Sequence, residues 1–333
     1  MEYRKLGSTG LDVSVVGIGG WPLGGLVGGP VGDPRNPVTD EGWSGADDSQ
    51  SVAMIRRAEE LGVNLIDTAE IYGDGHSEAV IGMAVKGRRE KFVISTKVRG
   101  FYTDEADLDH TRKRITEACE GSLRRLQSDY IDVYLLHKLP HPGAVPAAME
   151  TLMKLKDEGK IRFAGVSYTA ANKPDDLHKL MALGEVAAMV VGYNMVSRGG
   201  EETLRFAAEN DIGTMIASPL ASGVLSGQWF DNPPEFDPMD LRYHGYQNRE
   251  KTTAAFKKFG ELRFLIEGGK RSMAQAALRY ILDTHGVTSV IAGSLNPSEI
   301  EENAGASDVS PLTDEERARA IAIVDEASAL WGR

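Results

Sequence analysis

Short apolar runs alternate with longer amphipathic runs along this chain, and that alternation restricts the possible folds more than any other feature. The apolar runs are nearly continuous, which is typical of parallel strands buried on both faces. After a short opening pair, Tyr3–Lys5 and Asp12–Ser14, the predicted strands are Val15–Gly19, Asn64–Asp67, Phe92–Lys97, Ile131–His137, Ile161–Ser167, Met189–Asn194, Thr214–Ser218 and Ser289–Ala292. The helical patterns between them include Ser49–Leu61, Asp107–Leu126, Ala144–Glu158, Glu201–Glu209 and Ser272–Thr284.

Eight strand–helix units without a linker predict an α/β fold for the 333 residues. We expect a closed (β/α)8 TIM barrel with a short N-terminal β-hairpin, and an open doubly wound sheet is the alternative. Hydrophobic residues make up 41% of the chain, which is enough for one large core. We therefore expect residues 1–333 to form a single domain.

Polar residues stand where six of the predicted strands end: Asp67, Lys97, His137, Ser167, Asn194 and Ser218. In a parallel barrel the carboxyl ends of all strands meet at one rim, where the catalytic groups of this architecture lie. Strands also end in polar residues simply because they reach solvent. That explanation accounts for one or two such residues more easily than for all six. It fits least well for a lysine directly after Val-Ile-Ser-Thr and a histidine directly after Val-Tyr-Leu-Leu.

Two long segments interrupt the regular alternation. Residues 22–48 are rich in Gly, Pro and Asp and contain Trp43, and residues 219–247 contain Trp229, Phe230, Tyr243 and Tyr246. Both segments follow a strand, so both are expected to overhang the same rim. Long loops in compact domains are usually functional or disordered, and the aromatic content predicts a pocket wall.

The charge pattern and the single cysteine argue against several classes of protein. A net charge of −12 without a long basic run disfavours binding to a nucleic-acid backbone. Cys119 cannot form an internal disulfide or a multi-cysteine metal site, and Pro140 breaks any helix between His137 and His141. No apolar run reaches the roughly 18 residues of a membrane span. We expect a cytoplasmic protein without a metal, nucleic-acid or membrane partner, and the sequence leaves a homo-oligomer open.

The most specific motif in the chain is Gly62-Val-Asn-Leu-Ile-Asp67-Thr-Ala-Glu-Ile-Tyr72-Gly73, and it resembles the aldo-keto reductase superfamily. The resemblance extends over nearly the whole length. The further matching segments are Lys5-Leu-Gly-Ser-Thr-Gly-Leu, Gly73-Asp-Gly-His-Ser-Glu78, Ser95-Thr-Lys97, Asp129-Tyr-Ile-Asp-Val-Tyr-Leu-Leu-His137, Gly159-Lys-Ile-Arg-Phe-Ala-Gly-Val-Ser167, Ser218-Pro-Leu and Asn296-Pro-Ser-Glu-Ile-Glu-Glu-Asn303.

The resemblance implies a catalytic tetrad of Asp67, Tyr72, Lys97 and His137. Hydride delivery to a carbonyl leaves an alkoxide, so a site of this kind needs a proton donor and a group that stabilises negative charge. A free tyrosine has a pKa of roughly 10 and is a poor acid–base near neutrality. A lysine ammonium beside it favours the phenolate, and a carboxylate can hold that lysine in place. The resemblance further implies that His137 hydrogen-bonds the substrate oxygen and that Trp21 lines the substrate pocket.

The resemblance also implies a nicotinamide cofactor, NADP or NAD. Ser167 matches a serine that holds the nicotinamide carboxamide, and the segment Ser218–Gly227, which includes Leu220, resembles the loop around the pyrophosphate. Ser294 and Asn303 match adenosine-side positions.

Several cofactor positions depart from the family pattern. Tyr168 replaces the usual asparagine, Val190 the usual glutamine, and Ala217 the aromatic residue that usually stacks on the nicotinamide. We expect Tyr193 or Tyr168 to stack on the nicotinamide instead. Glu299 replaces the usual arginine or glutamine near the adenosine. A carboxylate repels a 2′-phosphate and accepts hydrogen bonds from a ribose hydroxyl, which favours NAD or dual use. The alternative is that Glu299 faces solvent and another cation, such as Arg271, meets the phosphate.

Together these features predict an NAD(P)-dependent oxidoreductase that interconverts an aldehyde, ketone or sugar-like carbonyl and the corresponding alcohol. Tyr72 is the expected acid–base. The alternative is a cofactor-sensing regulatory protein of the same fold, similar to potassium-channel beta subunits, with little turnover. Cofactor titration and turnover measurements separate the two.

Overall fold

The computed structural model describes residues 1–26, 42–99, 106–168, 174–266 and 268–332. Two short strands, β1 (Tyr3–Lys5) and β2 (Asp12–Ser14), pair antiparallel with Tyr3 opposite Ser14. The predicted N-terminal hairpin is therefore confirmed. Leu6 and Val13 of this hairpin region are fully buried, and they pack with the side chains that fill the inside of the barrel.

Eight parallel strands form the barrel: β3 (Val16–Gly19), β4 (Leu65–Asp67), β5 (Val93–Val98), β6 (Ile131–Leu136), β7 (Ile161–Tyr168), β8 (Ala188–Gly192), β9 (Gly213–Ala217) and β10 (Ser289–Gly293). They close in the order β10-β3-β4-β5-β6-β7-β8-β9. This confirms the predicted (β/α)8 fold and excludes the open doubly wound sheet.

Helices surround the barrel, and several begin at a capping side chain. The described helices are α1 (Asp48–Glu60), α2 (His76–Val85), α3 (Leu108–Leu126), α4 (Val145–Asp157), α5 (Pro174–Met181), α6 (Glu201–Glu209), α7 (Arg249–Phe259), α8 (Met273–Leu282), α9 (Pro297–Ala304) and α10 (Asp314–Trp331). The side chains of Asp47 and Asp107 accept hydrogen bonds from the first turns of α1 and α3, and Ser272 and Thr313 form capping boxes at the starts of α8 and α10. None of these helices is both long and apolar enough to cross a membrane.

The core has two layers because successive strand residues point to opposite faces of the sheet. Leu65 and Val93 belong to the cluster inside the barrel, whereas their neighbours Ile66 and Ile94 belong to the larger cluster between strands and helices. The strands are therefore buried on both faces, as their continuous apolar runs predicted.

The polar strand-end residues lie together at the carboxyl rim, with small differences from the predicted strand boundaries. Asp67 ends β4, and Lys97 and Ser167 are the second-last residues of β5 and β7. His137 and Ser218 come one residue after β6 and β9, and Asn194 comes two residues after β8. The barrel thus places six residues from separate units on one rim.

Candidate active site

A buried ion pair joins two neighbouring strands at the rim. Lys97 Nζ donates to Asp67 Oδ2 at 2.6 Å and to the carbonyl oxygen of Thr68 at 2.7 Å. The two charged side chains are only 1% and 3% exposed. Burial raises the pKa of Asp67 and lowers the pKa of Lys97, and their mutual attraction opposes both shifts. The lysine is therefore held rigidly at one position with its charge partner in contact.

Tyr72 lies in the turn after β4, close to this lysine. Its backbone N–H donates to the carbonyl of Ala69 at 3.0 Å, and its ring centroid is 5.2 Å from Lys97 Nζ. The next residue, Gly73, has φ +64°, and a Cβ there would meet the carbonyl oxygen of Gly24 at 2.2 Å. The close approach of these two glycines determines where the turn that carries Tyr72 can lie.

His137 completes the group from the next strand. Its ring is perpendicular to that of Tyr72, with the ring centroids 5.9 Å apart. Burial, followed by the charges of Lys97 and Lys138, lowers the pKa of His137 to about 3. The imidazole is consequently neutral at physiological pH, where it can donate one hydrogen bond and accept another.

The site opens into a cavity of about 570 Å³ at the rim. Asp67, Tyr72 and His137 line it, whereas Lys97 lies behind Asp67. Trp21 lines it as predicted, and its ring stacks on Tyr72 at 5.9 Å with an angle of 18° between the ring planes. A tyrosine beside a lysine and a neutral histidine at the wall of such a cavity can exchange a proton with a bound oxygen atom.

The long loops contribute aromatic side chains to the wall of the cavity. Trp43 and Trp229 line it, as does Phe236, a residue that no sequence pattern indicated. Phe230, Tyr243 and Tyr246 do not line it, and Tyr246 packs instead against Phe256 and Trp331. Residues 27–41 of the first predicted loop lie outside the described residues.

The predicted cofactor residues fall into two groups. Ser167, Ser218, Leu220, Glu299 and Asn303 line the cavity. Gly227 does not line it, although its neighbours Ser226 and Gln228 do, and Ser294 is buried behind Asn303, whose Nδ2 donates to Ser294 Oγ at 3.0 Å.

Tyr193, the predicted substitute for a stacking ring, lies elsewhere. It is 1% exposed, stacks on Tyr280 at 6.2 Å and donates to Glu201 Oε1 at 3.0 Å. The reason is that Tyr193 follows β8 with its ring turned between the outer helices, so it cannot stack on a ligand in the cavity. The side chain of Tyr168, the other alternative, is not among those that the structure describes.

The loop after β9 has an unusual backbone. Ser218, Ala221, Ser222 and Gly223 all have positive φ, and Asn194 Nδ2 holds the carbonyl of Ser218 at 2.8 Å. Where a right-handed residue is followed by a left-handed one, as Leu220 (φ −96°, ψ 15°) is by Ala221, successive backbone N–H groups can converge on an anion. Since Ser218, Ser222 and Gly223 line the cavity, this loop could hold a phosphate group.

Glu299 and Arg271 differ in their position relative to the cavity. Glu299 lines it and accepts hydrogen bonds from Leu295 N at 2.7 Å and Asn296 Nδ2 at 3.0 Å. Arg271 does not line it, because its guanidinium is bound to Glu316 and to the carbonyl oxygens of Leu265 and Ser310. Arg271 is therefore in no position to meet a phosphate in the cavity.

Residues 38–325 match the Aldo/keto reductase family, and the chain belongs to this family. It is 31% identical over 309 residues to "Aldo-keto reductase YhdN" of Bacillus subtilis, covering 90% of this chain and 87% of that protein. It is 29% identical to a "Probable voltage-gated potassium channel subunit beta" of Arabidopsis thaliana, covering 94% and 93%. Family membership supports an oxidoreductase activity.

The barrel is also similar to solved structures of this family. The aldo/keto reductase from Klebsiella pneumoniae, determined in complex with NADP and acetate, aligns with a TM-score of 0.69 and 26% sequence identity. The alignment covers 97% of this chain and 96% of that one.

Proposed function

We propose that this protein is an NAD(P)-dependent oxidoreductase that interconverts an aldehyde, a ketone or a sugar-like carbonyl and the corresponding alcohol. The observation that carries the proposal is the convergence of Tyr72, the Lys97–Asp67 ion pair and neutral His137 at one cavity. Four side chains from three neighbouring strand–loop units meet there, and together they form a proton-transfer site.

The residues of the cavity fit a dinucleotide. The cavity extends from Tyr72 to Glu299 and Asn303, and the left-handed loop after β9 lies along it. The Klebsiella relative was solved with NADP. We infer that Ser167, the loop from Ser218 to Gly223 and Asn303 hold the cofactor, which when bound supplies or accepts the hydride.

Tyr72 is the proposed general acid–base. In reduction its hydroxyl donates a proton to the carbonyl oxygen, and in oxidation its phenolate takes the proton of the alcohol. Lys97, near the ring, favours the phenolate by its charge. Asp67 holds the lysine at its position through the 2.6 Å contact.

His137 positions the substrate oxygen. A neutral imidazole can donate a hydrogen bond to a carbonyl without bringing a second positive charge beside Lys97. Trp21, stacked on Tyr72, covers one face of the tyrosine ring. The closed barrel supports a single domain over residues 1–333. Cys119, the one cysteine of the sequence, is buried and free, which supports a location in the cytoplasm.

The lining of the cavity favours NAD(H), or use of both nicotinamides, over strict use of NADP(H). Glu299 and Glu302 both line the cavity near Asn303, and carboxylates repel the 2′-phosphate. Arg271 is bound elsewhere. Among the residues that the structure describes, no lysine lines the cavity, and Arg242, which does line it, is paired with Asp240.

The test is a panel of carbonyls and alcohols, each followed by nicotinamide absorbance with NADH and NADPH and their oxidised forms. Turnover with at least one pair supports the proposal. Binding of the cofactor without turnover of any substrate would favour the regulatory alternative, which the similarity to the potassium-channel beta subunit supports. Absence of both binding and turnover would contradict both functions.

A further inference from the structure

Arg242 is held in the cavity wall by an ion pair with a buried carboxylate. Its Nε donates to Asp240 Oδ1 at 2.8 Å and its Nη2 to Oδ2 at 2.6 Å. Asp240 is fully buried, and it also accepts hydrogen bonds from Ser44 N at 2.9 Å and Ser44 Oγ at 2.6 Å. The bidentate contact fixes the plane of the guanidinium and connects the loop after β9 to the segment that precedes α1.

Two aromatic rings cover the guanidinium. Arg242 Cζ lies 3.8 Å from the ring centroid of Trp43 and 4.1 Å from that of Phe236. Trp43 in turn contacts Trp21 at 5.9 Å, and Trp21 stacks on Tyr72. Arg242 therefore stands at the far end of a row of contacting side chains that begins at the proposed acid–base.

One edge of the guanidinium is left for a ligand. Arg242 Nη1 makes no hydrogen bond to any residue within the described ranges, although the side chain is only 9% exposed. Arg242 lines the cavity, and no other lysine or arginine does so in the part of the chain that the structure describes. Because Arg242 lines the cavity and its Nη1 has no acceptor among the described residues, an oxygen of a bound molecule can accept a hydrogen bond from it.

We propose that Arg242 Nη1 binds a hydroxyl oxygen of the substrate at a distance from the reacting carbon, and thereby selects polyhydroxylated alcohols and carbonyls. Asp240 already neutralises the guanidinium, so a carboxylate at Nη1 would leave one uncompensated negative charge in a cavity that Glu299 and Glu302 also line. A neutral hydroxyl adds no charge. The rings of Trp21 and Trp43, between Tyr72 and Arg242, offer apolar surface to the carbon chain. The proposal rests on the proposed function and names its substrate class.

The experiment compares a pentitol with the unsubstituted primary alcohol of the same chain length and with the corresponding ω-hydroxy acid. kcat and KM for oxidation are measured for the wild type, for Arg242→Lys and for the double variant Asp240→Asn/Arg242→Met, which leaves no buried charge unpaired. Arg263→Lys is the matched control. Arg263 also pairs with an aspartate, Asp231, and lies over Phe230, but it does not line the cavity.

Both Arg242 variants are expected to lower kcat/KM for the pentitol by roughly 10- to 150-fold, mainly through KM, because hydrogen bonds to charged groups contribute in this range. The unsubstituted alcohol should change several-fold less, and Arg263→Lys should leave the ratio of the two substrates unchanged. An equal loss for both alcohols would show that Arg242 only supports Trp43, which overturns the proposal. A larger loss for the hydroxy acid would also overturn it. A wild type that oxidises the unsubstituted alcohol but not the pentitol would overturn it as well, whereas a wild type that turns over no member of the wider panel of carbonyls and alcohols would instead contradict the proposed function.

Discussion

Lys97 Nζ lies 2.6 Å from Asp67 Oδ2, although 30 residues separate the two in the chain. β4 and β5 are adjacent in the barrel, with Asp67 opposite Ser95, so the two side chains meet at the rim of neighbouring strands. The pair is almost completely buried, and removal of one partner leaves a charge without compensation.

Lys97→Met should therefore destabilise the fold by about 3–5 kcal/mol, and Asp67→Asn added to it should restore part of that loss. In both variants the basic limb of the oxidation pH profile should move to higher pH, since the ammonium that favours the phenolate is gone. Urea unfolding and pH–rate profiles measure the two effects. Lys86→Met, at an exposed lysine, is the control, and a pH profile of the Lys97 variants that matches it would contradict the assigned role of Lys97.

Tyr72→Phe removes one hydroxyl group and should lower kcat by about 10²- to 10⁴-fold, the usual contribution of general acid–base catalysis. Cofactor binding, followed by fluorescence, should change little because the ring that stacks on Trp21 remains. Tyr243→Phe, at a loop tyrosine that does not line the cavity, serves as the matched control. Near wild-type kcat in Tyr72→Phe would remove the tyrosine from the mechanism.

His137 should make stability depend on pH in the acid range. Its pKa is lowered from 6.5 to about 3 in the folded protein, so between these values the unfolded chain binds a proton that the folded one does not. Its contribution is fully present above pH 6.5 and is lost as the pH falls towards 3. Urea unfolding at several pH values should show a shallower acid slope for His137→Gln than for wild type.

The control for this prediction is His285→Gln, at an exposed histidine. Its acid slope should equal that of the wild type. If His137→Gln and His285→Gln gave the same slope, the buried neutral state of His137 would be refuted.

Gly73→Ala should impair both stability and turnover. The left-handed backbone costs an alanine about 1–2 kcal/mol, and here its Cβ would also meet the carbonyl oxygen of Gly24 at 2.2 Å. The turn must shift, and Tyr72 shifts with it. Gly87→Ala is the control, because Gly87 has φ +74° with nothing within 4 Å of the added carbon. Equal Tm values and equal kcat for the two variants would show that the contact between the two glycine turns does not position Tyr72.

Glu299→Arg should raise kcat/KM for NADPH relative to NADH by a factor that corresponds to about 1–3 kcal/mol for a new charged hydrogen bond. The substitution also removes the acceptor for Leu295 N and Asn296 Nδ2, so some loss with both cofactors is expected. Ser298→Arg places the same charge one residue away, outside the cavity lining, and should not change the ratio. A wild type already selective for NADPH and unaffected by Glu299→Arg would contradict the expected cofactor preference.

The sequence by itself determined the barrel and the position along it of the residues that we propose to be catalytic. Continuous apolar runs specify strands buried on both faces, and a polar residue at the end of each run must reach the common rim once the strands are parallel. Asp67, Lys97 and His137 follow from this local pattern. The motif resemblance added Tyr72, which lies in a turn rather than at the end of a strand.

Only the tertiary structure decided which loop residues meet above the rim. Tyr193 follows a strand like the others, yet it packs against Tyr280 and not in the cavity. The contact of Arg242 and Asp240 with Ser44 joins two distant segments of the chain. Ser44 and Asp240 are 196 positions apart in the sequence. Their contact depends on the paths of two irregular loops, for which no periodicity exists in the sequence. Local patterns specify strands and helices because they repeat, whereas a contact between two loops depends on how the whole barrel holds their ends.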